Sequence, residues 1–184
     1  MAVPIALRMY RSKKRCPKAQ YRKRTELARE MVEELIARIP QERKVILVGD
    51  SEYACHEVVR NLPERVVFIG PMSMDAALYD PPPEKRKGRG RPRRKGKRLL
   101  SPKQLIASND IPWEPHEMLL YGKTVNVLIK TQTCLWYTVA GSRLVRKIVT
   151  RDPSGRLEDR AYFSTNAEMS PGKVAQSFSL RWTQ

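Results

Sequence analysis

No stretch of this sequence approaches the roughly 20 consecutive apolar residues of a membrane span, and the apolar segment nearest the N-terminus is interrupted by Arg8. A membrane-spanning or secreted protein is therefore not expected. No long basic amphipathic helix carries exposed aromatics on its other face, which argues against an anionic membrane as the partner. Cysteine is scarce: Cys16, Cys55 and Cys134 lie far apart, and none belongs to a Cys-x-x-Cys pair. That excludes a disulfide framework and points to a reduced, cytoplasmic setting. Cys55, His56 and His116 have no second ligand pair at finger spacing, so they make a poor zinc set. Acidic residues are the other shortage, 19 against 36 Lys and Arg, giving a net charge of +17 and a pI near 10.2. Such an imbalance is the footprint of a protein that meets a polyanion. With 30% charged residues and 14 prolines the core is modest, and one domain with an insertion is expected.

What is present is organised around residues 44–53, KVILVGDSEY. The apolar run Val45 to Val48 is too short for a helix core and predicts a strand buried on both faces. Asp50 would then stand at the carboxyl end of a central strand, where open α/β sheets place their chemistry. The alternative is that Asp50, or Ser51, only caps the helix that follows.

Upstream, Val3, Ile5, Leu7 and Met9 alternate and predict a strand over residues 2–10. Leu27, Met31 and Leu35 recur at helical spacing up to Pro40. Downstream, a short helix is expected from Glu52 to Asn61 and a second buried strand from Val66 to Ile69. Asp80-Pro-Pro-Pro ends this α/β part, and ten of the fourteen residues from Lys85 to Arg98 are basic, which predicts a solvated, mobile excursion. Within it Arg89-Gly90-Arg91-Pro92 resembles an AT-hook, whose arginines enter a narrow A·T minor groove; the alternative is a nonspecific phosphate-binding run. Short strands follow at 119–121, 125–129, 134–139, 144–149 and 161–163. Trp136 and Tyr137 are assigned to packing rather than base stacking, because no aromatic repeat accompanies them. Asp152, Asp159 and Glu168 sit in turn-like contexts and are assigned to the surface. Ser170-Pro171 opens a last helix with Val174, Phe178, Arg181 and Trp182 on one face.

The segments VPIALRMY (3–10), Thr-Glu-Leu-Ala (25–28), VILVGDSEYA (45–54), LPERVVFIG (62–70), GRGRPRRKGKRL (88–99), the run from Asp152 to Pro171 and AQSFSLRW (175–182) together resemble the DDE transposases of bacterial insertion sequences. The resemblance covers nearly the whole chain. It implies an α/β, ribonuclease H-like mixed sheet with flanking helices and a basic, β-rich insertion. Residues 1–79 would be a partial core, 80–147 the basic linker and insertion, and 148–184 the return to the core. It also implies metal-dependent DNA cleavage and strand transfer, in which three carboxylates hold two Mg²⁺ (or Mn²⁺) ions about 4 Å apart across a phosphodiester. Asp50 matches the middle carboxylate and is the implied catalytic and metal-binding residue. Arg89, Arg91, Arg93, Arg94, Lys95 and Arg181 are the implied DNA contacts.

Phe178 and Arg181 take the Tyr and Arg positions of the family's last motif, which places its Glu directly after Gln184. The first Asp would precede residue 3. Both outer carboxylates then lie outside the sequence, so the expectation is a transposase catalytic-domain fragment, inactive alone. Its partners would be DNA and either full-length transposase or a second copy, in association with the nucleoid. A second reading is a non-catalytic DNA-binding protein or regulator of transposase; a third, a basic RNA-binding or ribosomal-type protein, leaves the D-S-x-Y and R-W patterns unexplained.

Overall fold

In the computed structural model, which describes residues 5–83, 93–120 and 123–180, the helical spacing around Leu27, Met31 and Leu35 becomes α1 (Arg24–Arg38). Its first turn is closed by the Lys23 N–H donating to the Glu26 carboxylate at 2.9 Å. At its other end Arg65 donates to the carbonyls of Ile36 and Ile39, placing a cation where the helix dipole is negative. The chain continues through β1 (Val45–Val48), the one-turn α2 (His56–Val59) and β2 (Val66–Pro71). β1 and β2 are parallel, with Val45 opposite Val66 and Val48 opposite Ile69. Next come β3 (Leu78–Tyr79), β4 (Arg98–Leu99), α3 (Pro102–Ala107), β5 (Glu114–Leu120) and β6 (Lys123–Leu135). The described chain ends with α4 (Tyr137–Ala140), β7 (Leu144–Arg151), β8 (Arg160–Ser164) and α5 (Pro171–Ser179).

These eight strands form one mixed sheet in the order β1-β2-β8-β7-β6-β3-β4, with β5 paired to the first half of β6. This is consistent with the expected α/β, ribonuclease H-like architecture. Period-two alternation sorts the strand side chains onto two faces. Val66, Phe68, Val145, Val149 and Phe163 face one core with Ile36, Val58 and Trp136. Val67, Ile69, Ile148 and Val127 face the other, which α5 covers with Val174, Ala175 and Phe178.

Several expectations change. Residues 5–12 form no strand: Ile5, Leu7 and Met9 are 72%, 82% and 81% exposed, while Val3 lies outside the described residues. Alternation makes a strand only where a sheet edge supplies hydrogen bonds; here Arg8 is ion-paired with Glu34 of α1 instead. β1 is not central but an edge strand among the described residues, and Ile46 is 44% exposed on it. The helix expected over 52–61 shrinks to four residues, and the strand expected over 134–139 stops at Leu135, where α4 begins after Trp136. Of the basic excursion, residues 84–92 lie outside the described residues; at its end the Asp80 N–H donates to the Lys97 carbonyl and the Gly96 N–H to the Asp80 carbonyl.

Two lysines in mid-strand positions are buried, which no periodicity announces. Lys147 is fully buried and donates to the Leu100 carbonyl at 3.1 Å. Lys130 reaches the carbonyls of Leu105 and Ser108 at the end of α3. Both amines satisfy backbone acceptors that would otherwise be stranded under the α3 segment.

Beside Lys147, Cys134 is fully buried and desolvation pushes its thiol up to about 11. Since the thiolate is the reactive form, a thiol reagent at pH 8 is expected to modify half-buried Cys16 first, Cys55 more slowly because burial also raises its thiol, and Cys134 only in denaturant. Peptide mass spectrometry over a time course checks this; rapid labelling of native Cys134 would contradict the placement of β6.

Candidate active site

Asp50 is delivered by the end of β1. Gly49 continues the ladder, its N–H donating to the Ile69 carbonyl at 2.9 Å, and the chain then turns. The turn is closed by the Asp50 carbonyl, which accepts the N–H groups of Tyr53 and Ala54 at 3.0 Å each. The carboxylate itself accepts the Ser51 N–H at 2.7 Å and is exposed. Neither Asp50 nor Ser51 caps the helix that follows, since α2 begins at His56 with Cys55 at its N-cap.

Asp50 and Ser51 open onto a cleft of about 350 Å³ at the carboxyl ends of β1 and β2. Met72 and Met74 form its floor beyond β2, Asp159 and Arg160 enter from the start of β8, and Phe178 closes it from α5. Asp159, assigned to the surface by its turn-like context, is thus brought into the same cleft as Asp50. The only sequence hint is its place one residue before the β8 run. Its carboxylate is held by Arg151 in a two-pronged ion pair, Nε at 3.0 Å and Nη2 at 2.7 Å, and that guanidinium also stacks 4.5 Å from the Trp113 ring centroid. Asp152 is half-buried in the turn before β8, where hydrogen bonds from Ser154, Leu157 and Arg156 hold its carboxyl below the usual range. Glu168 is exposed.

A pair of divalent cations needs several hard oxygen ligands converging on one point. Among the described residues no three Asp, Glu, His or Cys groups do so, and Asp159 is already neutralised by Arg151. The donors at hand therefore do not fit a two-metal centre by themselves.

The other candidates lie elsewhere. Arg93, Arg94 and Lys95 are exposed at the opposite end of the β1–β2 pair, where Arg94 donates to the Tyr137 hydroxyl at 3.4 Å and the Lys95 ammonium sits 4.2 Å from the Tyr79 ring centroid. Arg89, Arg91 and Arg181, with the rest of the AT-hook pattern and Trp182, lie outside the described residues.

A family model described as DDE superfamily endonuclease matches residues 4–138. Neither the curated proteins nor the solved structures yield a match.

Proposed function

The chain belongs to the DDE superfamily endonucleases, and from that premise we propose that it is the catalytic-domain portion of a bacterial insertion-sequence transposase acting on DNA. The observation that carries this is the family match over about three-quarters of the chain, with an exposed aspartate at the carboxyl end of β1 inside it. Members of the superfamily generally use divalent metals. On this reading Asp50 is the ligand that this chain contributes, and Mg²⁺ or Mn²⁺ is the ion. Because the described donors do not complete a site, the chain alone binds DNA without cutting it. Full-length transposase or a second copy is the protein partner that cleavage and strand transfer require, and the complex resides on the nucleoid. No described helix is long and apolar enough to cross a membrane.

The incomplete donor set also favours a second reading, a non-catalytic DNA-binding regulator of transposase. One experiment addresses both. The purified chain and its Asp50→Asn variant are incubated with supercoiled plasmid and Mg²⁺ or Mn²⁺, and binding is measured in parallel over a salt series. The expected result is no nicking by either protein, with affinity falling about 10³-fold or more between 50 and 200 mM salt if six or more phosphates are contacted. Nicking that Asp50→Asn abolishes would instead show that the chain holds a complete site. Nicking indifferent to Asp50 would remove that residue from the chemistry.

A further inference from the structure

At the amino end of β2, away from the Asp50 cleft, lies a pocket of about 500 Å³ whose walls carry Arg60, Arg94, Ser142 and Arg143 around Tyr137. No Asp or Glu is among its described lining residues. Two left-handed backbone turns shape it, at Asn61 with φ 59° and at Gly141 with φ 66°. The second is a conformation that favours glycine, and it turns the chain so that Ser142 and Arg143 complete the wall.

Two of the guanidiniums here, those of Arg60 and Arg143, are held by carbonyls rather than by carboxylates, and Arg94 is held by the Tyr137 hydroxyl. Arg60 donates through Nη2 to the Tyr137 carbonyl at 3.0 Å, while its Nε is buried with no hydrogen-bond partner. Arg143 donates through Nε to the Thr165 carbonyl at 2.9 Å and through Nη2 to that of Glu64 at 3.2 Å. Among the described residues none of Arg60, Arg94, Lys95 and Arg143 forms an ion pair; the Glu64 carboxylate acts on Arg143 only through its field. Tyr137 is flanked by Arg60, 6.0 Å from its ring centroid, and Lys95, at 5.5 Å. Carbonyl anchoring fixes the direction of a guanidinium without cancelling its charge. An anion with several acceptor oxygens is the complement of such a set, and arginine forks match phosphate geometry.

We propose that this pocket binds a backbone phosphate of a DNA strand, with Arg60 and Arg94 as the phosphate ligands and the Tyr137 ring against the adjoining sugar or base. The inference rests on the reading of DNA as the substrate and adds a contact separate from the Asp50 cleft.

The test measures binding of a 20-base-pair duplex by the wild-type chain and the Arg60→Gln, Arg94→Gln, Tyr137→Phe and Lys103→Gln variants across a salt series. Lys103 is an exposed residue of α3 and serves as a control for the loss of one charge. Arg60→Gln and Arg94→Gln are each expected to reduce the slope of log affinity against log salt by about one and to weaken binding about tenfold, with Lys103→Gln under twofold. Their combination is expected to be less than additive, since both hold one phosphate. Tyr137→Phe is expected to act at the same order as its loss of the Arg94 contact, with the slope unchanged.

If Arg60→Gln and Arg94→Gln match Lys103→Gln while the wild type binds with a steep salt slope, the pocket is not a phosphate site although the DNA reading stands. If the wild type does not bind DNA at any salt, both fail. Should Arg60→Gln lose its thermal transition, Arg94→Gln, at an exposed side chain, decides the matter alone.

Discussion

Phe163→Ala is expected to lower stability by about 3–5 kcal/mol, the range for removing a buried aromatic side chain. Phe163 is fully buried in β8, the strand that joins the parallel β1–β2 pair to the antiparallel remainder: it lies opposite Gly70 of β2 and Lys147 of β7. Its ring is 5.6 Å from that of Phe68 and meets Trp136 edge-on at 5.0 Å and 88°. Truncation therefore removes both aromatic contacts and leaves a void between two halves of the sheet that neither neighbour can fill without leaving its own packing. Domains of this size are stable by only about 5–15 kcal/mol, so the variant should sit near the edge of folding. Urea titration followed by tryptophan fluorescence would show a large fall in midpoint with little change in slope. Leu157→Ala, at a residue 57% exposed, should stay within about 0.5 kcal/mol. A loss below about 1.5 kcal/mol for Phe163→Ala would mean that its ring is not packed between Phe68 and Trp136 as described.

Gly49→Ala carries the second large effect, because it acts on stability and on the position of Asp50 together. A Cβ at residue 49 would stand 2.5 Å from Cζ and 2.8 Å from Cε2 of Phe68, and 3.3 Å from Cβ of Tyr53. The Phe68 ring cannot yield freely, since it is pressed on its other side by Phe163 and its own N–H is tied to the Thr165 hydroxyl at 2.9 Å. Overpacking of this kind costs about 1–3 kcal/mol and is relieved by backbone movement. The backbone able to move is the edge strand β1, whose end carries Asp50. Phe68→Leu in the same chain should recover part of the loss, giving a coupling energy of about 1 kcal/mol in a double-mutant cycle. Purely additive losses would show that the two residues do not collide.

Much of this architecture follows from local pattern. Val45–Val48, Val66–Ile69 and Ala161–Phe163 form strands because short β-branched and aromatic runs bounded by turn residues have few other ways to bury themselves. Ser170-Pro171 begins α5 because proline at the first helical position gives up only an N–H that is orphaned in any case. The position of Asp50 at the end of β1 was likewise legible, as a polar residue after Gly49 at a strand terminus. Other features were not. Residues 5–10 have the alternation of a strand but lie along α1, since alternation records a two-faced environment and cannot supply the neighbour that pairs with it. Tyr137 reads as the continuation of a β run, yet α4 turns it into a pocket between Arg60 and Lys95. The burial of Lys130 and Lys147 in β6 and β7 has no signal in the sequence, since only the segment from Leu100 to Ser108 packed over them gives their amines carbonyls to meet.

The sequence by itself determined the positive charge, the short β-branched and aromatic runs that become strands, and the aspartate that follows β1, because each depends on residue type and near neighbours along the chain. Tertiary structure decided which strand is an edge, which carboxylate joins Asp50 in a cleft and is then neutralised by Arg151, and which arginines gather around Tyr137. Those outcomes depend on pairs distant in sequence, such as Arg60 and Tyr137 or Asp50 and Asp159, whose meeting is fixed by strand order and register rather than by any pattern within a single segment.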